Sequence, residues 1–175
     1  MGLRESLVSL LVAAACGIVL GAERQQSQLS KERTRDFGGV RTFPMISLLG
    51  ALGAMAAPVA GMWLLGGAFV GVVAFVAISH ARTSAEGHLG ISSEVAALLC
   101  FALGAVSAMP ALMPDRERHL LVGAVTAGAL ALLALKRPLH SFVAALAPED
   151  VYATVKFVVL VLVVLPALPD HAYGP

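Results

Sequence analysis

The stretch from Thr42 to Ser79 has the sequence TFPMISLLGALGAMAAPVAGMWLLGGAFVGVVAFVAIS and contains no charged side chain. A helix that crosses a bilayer needs about 20 apolar residues, within a range of about 17–25. Because the stretch is too long for one crossing and long enough for two, it predicts two membrane helices. Pro58 and Gly61 lie near its middle, and both residue types interrupt helices, so we expect the break there.

Four further runs divide the rest of the chain in the same way. They are Ser6–Ala22, Val95–Pro114, Leu120–Leu135 and Val151–Leu168, the last interrupted by Lys156. Each is close to the length of one crossing. With the central pair they predict an all-α, polytopic membrane helical bundle of about six transmembrane helices. A lysine one or two turns from a helix end extends its side chain to the headgroups, so Lys156 is compatible with a sixth span.

The composition excludes the common classes of soluble protein. Of the 175 residues, 58% are hydrophobic and only 13% are charged, whereas a soluble domain is about 25% charged. Because so little charge cannot cover a globular surface, we expect the lipid bilayer as the partner of this surface. A net charge of +1 gives no signal for nucleic acid. No nucleophile triad, P-loop or dinucleotide fingerprint points to an enzyme, and we expect no cofactor other than a bound divalent cation.

The positive residues of the loops predict the orientation. Nine lysines and arginines fall on the side of the first, third and fifth connections, against three on the opposite side. Because the cytoplasmic side carries the excess, we expect a multi-pass protein of the inner (plasma) membrane with its amino terminus outside. The first run follows both Arg4 and Glu5 and has no clean A-x-A cleavage site, so we interpret it as a retained helix rather than a signal peptide.

The second and fourth predicted helices resemble each other. Gly39–Ala57 and Gly90–Ala108 align without a gap, which pairs Gly53 with Gly104. Both segments run from inside to outside, so we predict a parallel internal repeat. Helices rich in alanine, glycine and leucine also align by accident, and that alternative stays open.

Small residues predict close helix packing, because in lipid they allow backbones to approach each other. Glycines at such positions are Gly17, Gly21, Gly50, Gly53, Gly67, Gly71 and Gly104. We expect most of these contacts within one subunit, with a homo-oligomer or another membrane protein as the alternative partner. Cys16 and Cys100 lie in apolar runs and are expected to be small core residues.

Charged and hydroxyl residues gather at the predicted cytoplasmic helix ends. They are Glu23, Arg24, Arg41, Thr42, Ser92, Ser93 and Glu94. The positive end of a helix favours the Glu94 carboxylate, and Ser92 or Ser93 can cap the same turn. Arg41 opposes its own helix dipole and is expected to need a carboxylate. We therefore predict a Glu23–Arg41–Glu94 cluster, either as an ion-pair network or as a cation site with the two glutamates as candidate metal ligands.

The histidines offer a weaker alternative. His80 and His88, with Glu86 between them, have ligand types that hold a divalent ion, although they lie in or next to a loop. On the opposite side, Asp115 to His119 form a short run whose acidic residues are offset by two arginines.

Several of these strings resemble motifs of the MgtC/SapB family. GIVLGAERQ (17–25) resembles the GxxxGxER motif that closes its first helix, and GVRTF (39–43) resembles the G-[LIV]-R-T motif that opens its second. GISSE (90–94) resembles the G-L-T-T segment of its fourth helix. The glutamate there, with KRPLH (136–140) and VVLPALP (163–169), is similar to the long all-membrane branch of the family.

The resemblance implies an inner-membrane protein of ion physiology. The family is linked to growth at low magnesium and to the regulation of membrane energetics. Two hypotheses follow: a transporter or channel-like protein in magnesium-linked ion homeostasis, or a regulatory protein that binds another membrane complex. The family domain is expected over residues 1–147, with one more helix and a tail in 148–175. Because long-branch members continue with further helices, the sequence is expected to be a short form or an amino-terminal half.

Overall fold

The structure, a computed structural model, describes residues 2–29, 38–85, 91–145 and 147–167, whose regular secondary structure is helical throughout. The helices are α1 (Leu3–Leu29), α2 (Thr42–Ala60), α3 (Met62–Ala85), α4 (Ser92–Ser107), α5 (Asp115–Ala134), α6 (Lys136–Ala145), α7 (Pro148–Val159) and α8 (Leu165–Ala167). A π-helical segment, Leu160–Val164, joins α7 to α8. The predicted all-α class is confirmed.

The chain divides into two compact units. Residues 1–134 hold α1 to α5, and residues 135–175 hold α6 to α8. Helix α6 was not predicted, because Lys136 and Arg137 at its start were counted among the charges of the fifth connection. The domain boundary that we placed between residues 147 and 148 stays a prediction.

Four helices of the described chain are long and apolar enough to cross a membrane, namely α1, α2, α3 and α5. Helix α4 is apolar but has only 16 residues. It ends at Ser107 rather than near Pro114, because Pro110 lies just beyond and disfavours helical backbone in the residue before it. The predicted sixth run is helical, but the π-helical segment divides it. The structure therefore supports four of the six predicted spans by length and composition.

The break in the central stretch lies where it was predicted. Helix α2 ends at Ala60, α3 begins at Met62, and Gly61 between them has a φ of +90°. Only glycine adopts this backbone conformation easily. The Gly61 N–H donates to the Ala57 carbonyl at 2.8 Å and closes the last turn of α2. Pro58 lies inside α2 and does not end it.

Helices α2 and α4 form the centre of the first unit. Helix α1 packs on α2, α4 and α5, while α3 packs on α2 and α4. The main core includes Leu20, Phe43, Cys100, Phe101 and Val122. Both cysteines are buried, as predicted.

Three glycines allow the closest approaches between helices. A Cβ on Gly17 would overlap with the backbone of Pro44, and one on Gly104 would overlap with the Ser47 carbonyl. On α2 the corresponding contact belongs to Gly50, whose Cβ would overlap with the carbonyl of Phe101. These positions therefore exclude any larger side chain unless the helices move apart.

Other glycines differ from the prediction. A Cβ on Gly53 would lie 3.0 Å from Cδ1 and 3.6 Å from Cα of Leu65, so its environment is less crowded than that of Gly104 and the predicted repeat is not shown. A Cβ on Gly67 or on Gly71 of α3 would meet nothing within 4 Å. The prediction of tight packing within the subunit is therefore wrong for α3, because that face of the helix points away from the bundle.

Candidate functional site

The start of α4 places Glu94 in the interior. Ile91 is the N-cap residue, and its own side chain forms no capping hydrogen bond. Ser92 and Ser93 are the first two helical residues, directly after the N-cap, and a capping role for either serine stays a prediction. Glu94 lies in the first turn, where the N-terminal end of the helix dipole stabilises a carboxylate.

Glu94 pairs with His80 across two helices. The residue is 8% exposed, and its Oε1 lies 3.2 Å from Nδ1 of His80 in α3. On the other side of the imidazole ring, Nε2 lies 3.1 Å from the Ser84 hydroxyl. With Nδ1 protonated, the ring donates to the carboxylate and accepts from the serine. This pairing was missed, because we took His80 for a loop residue, whereas α3 continues to Ala85.

The second carboxylate oxygen of Glu94 is the unusual atom of this site. Oε2 is buried and has no hydrogen-bond partner among the residues that the structure describes. Burying a polar atom without a partner is costly, and more so when it carries charge. A proton or a cation on this oxygen would therefore lower the free-energy cost of burying it.

The end of α1 holds a second charged pair. Arg24 is 5% exposed, and its guanidinium contacts the neighbouring Glu23 carboxylate through Nε and a terminal nitrogen. Because each charge has an opposite charge beside it, the burial of Arg24 leaves neither charge without a partner. Glu23 thus forms its ion pair with its sequence neighbour rather than with Arg41.

Arg41 differs from the expectation. It is exposed at the N-cap of α2, and within the described ranges it forms no ion pair with Glu23 or Glu94. The predicted three-residue cluster is not joined in the structure, because an exposed guanidinium at a helix end is neutralised by solvent or headgroups and needs no buried carboxylate. Thr42, the next residue, is half-buried at the first position of α2.

Two glutamines that sequence analysis passed over hold this end together. Gln25 accepts a hydrogen bond from the Val40 N–H at 3.2 Å, and Gln28 donates to the Gly38 carbonyl at 3.0 Å. A Cβ on Gly21 would lie 2.8 Å from the Gly39 carbonyl, so α1 and the entry to α2 are in close contact. The GxxxGxERQ string therefore positions the beginning of α2.

The opposite end of the bundle contains a buried arginine. Arg118 is fully buried, donates to the carbonyls of Ser107 at 2.9 Å and Met113 at 3.1 Å, and pairs with Asp115. Ser107 also donates to the carbonyl of Ser9 in α1. The arginine thus satisfies the C-terminal carbonyl of α4 and joins it to α5.

We interpreted Arg118 from sequence only as a loop charge. The one local sign of its role is the spacing of three residues from Asp115, which places both on one face of a helix.

Metal ligands are sparse in the described part of the chain. No group of three or more histidine, cysteine, aspartate or glutamate residues there has the geometry to hold a metal ion. His88 and Glu86, proposed with His80, lie outside the described residues. The two candidate glutamates also have different partners, since Glu23 pairs with Arg24 and Glu94 pairs with His80. A divalent-cation site stays a prediction.

Comparison with known protein families supports the motifs. The model of the MgtC family matches residues 10–142, which include the glycine-rich end of α1, the GVRT entry to α2 and all of α4. The chain belongs to the MgtC family. No curated protein and no solved structure matches it. With four apolar helices, this member of the MgtC family is a multi-pass membrane protein.

Proposed function

We propose that this MgtC family protein is a non-enzymatic membrane protein of magnesium-linked ion homeostasis that acts as a carrier, with Glu94 at the point where the cation binds. The observation that carries the proposal is the buried Oε2 of Glu94, which lacks a partner among the described residues. A cation beside this oxygen would remove the cost of an unpaired buried acceptor.

The surroundings of Glu94 support this role. The N-terminal end of α4 stabilises the ionised carboxylate, so that it is available for a cation. His80 holds Oε1 and orients the group, which leaves Oε2 for the substrate. Magnesium is commonly held through one or two carboxylates while it keeps several water molecules. Glu94 would supply one such carboxylate, and because Oε2 is buried the hydrated ion would reach it through a local opening of the bundle.

Binding is tested by thermal unfolding of the purified protein in detergent as MgCl2 is added. A ligand that binds only the folded state stabilises it, by about 2.7 kcal/mol at 100 times its Kd. We expect magnesium to raise the unfolding temperature of the wild type but not of Glu94→Gln. Glu117→Gln, which removes an exposed carboxylate at the other end of the bundle, should respond like the wild type. NaCl at equal ionic strength controls for screening, and equal responses of all three proteins would contradict the proposal.

One observation favours regulation of another membrane complex as a second candidate function. Only 11% of the apolar 18-residue segment of α3 is buried, and a Cβ on Gly66 would meet nothing within 4 Å. In lipid, small residues on an open helix face allow another helix to approach. If regulation through α3 is the function, Gly66→Leu should abolish support of growth at low magnesium, while Gly123→Leu, at an equally open position of α5, should not.

A further inference from the structure

An apolar groove of about 530 Å³ runs between α2 and α3. Its walls include Met45 and Leu49 on α2 and Gly71 and Phe75 on α3. Met45, Leu49 and Phe75 are exposed, and a Cβ on Gly71 would meet nothing within 4 Å. The groove is therefore open to the outside of the bundle rather than filled by the protein.

Two arginines lie beyond the lining residues of the groove, on the continuation of its two walls toward the Thr42 end. Arg41 is four residues before Met45, and Arg82 is seven residues after Phe75, so each continues the helix face that lines the groove. The two helices run in opposite directions from Gly61. At 1.5 Å per residue, Arg41 lies about 30 Å and Arg82 about 32 Å from that turn along the helices. Both cations are therefore at nearly the same height.

Neither arginine is neutralised by an acidic side chain in the residues that the structure describes. Both are exposed, while the nearby carboxylates of Glu23 and Glu94 are engaged by Arg24 and His80. Thr42, a lining residue next to Arg41, adds a hydroxyl at this end. The groove thus has an apolar lining, and two exposed arginines follow its walls beyond the Thr42 end.

We propose that this groove binds an anionic phospholipid, with one acyl chain along α2 and α3 and the phosphate held by Arg41 and Arg82. The guanidinium group matches phosphate oxygens with two parallel hydrogen bonds, and basic pockets between membrane helices bind anionic headgroups. A whole helix is about 10–12 Å wide. Because α2 and α3 pack directly on each other, the groove along their seam is narrow, and a single acyl chain fits it better than a helix does. This site is separate from the Glu94 carboxylate and goes beyond the carrier proposal.

The headgroup is tested by native mass spectrometry of the detergent-purified protein with phosphatidylglycerol or phosphatidylcholine of identical acyl chains. We expect tighter binding of phosphatidylglycerol. Each basic residue near an anionic surface contributes about 1 kcal/mol, which corresponds to about a fivefold change in affinity. Arg41→Gln and Arg82→Gln together should therefore weaken phosphatidylglycerol about 30-fold, toward the affinity of phosphatidylcholine. Arg116→Gln, which removes an exposed arginine at the start of α5, should leave binding unchanged.

The groove is tested by filling it. Gly71→Leu should weaken both lipids, whereas Gly123→Leu, at an open position of α5, should not. Fluorescence gives a second measurement that needs no filling variant. Trp63 is the single tryptophan, so the Trp63→Phe, Phe75→Trp protein reports on the groove alone. Phosphatidylglycerol brominated on its acyl chains should quench it more than brominated phosphatidylcholine.

Three outcomes would overturn the proposal. They are equal affinity of the wild type for the two lipids, unchanged phosphatidylglycerol binding in the double arginine variant, and equal quenching by the two brominated lipids. A fourth is weaker phosphatidylglycerol binding in the double arginine variant together with unchanged binding in Gly71→Leu, because the headgroup would then bind without the groove.

Discussion

Glu94 and His80 join the beginning of α4 to the last turns of α3 through a contact of 3.2 Å between Oε1 and Nδ1. The contact spans a connection whose residues 86–90 lie outside the described structure. It fixes one carboxylate oxygen and leaves the other buried, which gives this end of the bundle an acidic group that the described protein atoms satisfy only in part. The carrier proposal rests on this asymmetry.

The contact itself is open to measurement by a double-mutant cycle. We expect His80→Asn and Glu94→Gln to be coupled in the free energy of unfolding, because residues in one hydrogen-bonded pair usually show coupling of about 0.5–3 kcal/mol. Chemical denaturation in mixed micelles would provide the four stabilities. Effects that add within about 0.5 kcal/mol would show that the pair does not interact.

The glycine contacts predict a graded series of folding defects. Gly104→Leu places a side chain into the backbone of Ser47, so the yield of folded, monodisperse protein should fall sharply. At Gly53 the nearest atom to an added Cβ is the movable Cδ1 of Leu65, and its Cα is 3.6 Å away, so Gly53→Leu should cost less, within the range of about 1–3 kcal/mol for overpacked sites. Gly128→Leu on α5 has open space and should behave like the wild type. Equal yields for the three variants would refute the α2–α4 packing.

Arg118 should be more important for stability than its exposed neighbour. Arg118→Met removes hydrogen bonds to the carbonyls of Ser107 and Met113 and leaves Asp115 without its cation. Since a hydrogen bond to a charged group is worth about 1.5–3 kcal/mol, the loss should exceed about 2 kcal/mol. Arg116→Met, at an exposed position, should change little, and thermal unfolding in detergent would compare the two. Similar unfolding temperatures would show that the buried network is not stabilising.

Orientation is predicted from loop charge. We expect a cysteine at Gln28 to react with an impermeant reagent only from the cytoplasm and one at Arg116 only from outside. The native Cys16 and Cys100 are buried and provide a low background. The reverse pattern of labelling would place the amino terminus inside and contradict the prediction.

Much of the fold follows from local patterns. The break at Gly61 was predictable because the length of the apolar run demands two helices and glycine allows the left-handed backbone between them. The burial of Cys100 and the close approach at Gly104 also follow from residue size. In contrast, whether Gly50 or Gly53 faces α4 depends on helix rotation, which a single sequence does not determine.

The candidate site was less predictable for a physical reason. Charges were paired by their expected height in the membrane, which placed Arg41 with Glu23 and Glu94. The actual partners depend on side-chain direction and on where α3 ends, so Arg24 and His80 take those carboxylates instead. Arg118 was missed because its burial requires the end of α4 to lie against it, and that proximity arises only in the folded bundle.

The carrier role of Glu94 can be measured as magnesium flux in proteoliposomes that contain a magnesium-sensitive dye. Wild type, Glu94→Gln and Glu117→Gln would be reconstituted at equal density and compared with empty liposomes under an inward magnesium gradient. We expect dye signals above the empty control for the wild type and Glu117→Gln, and none for Glu94→Gln. A wild type that moves no magnesium, or a Glu94→Gln variant that moves it as fast as the wild type, would contradict the carrier role.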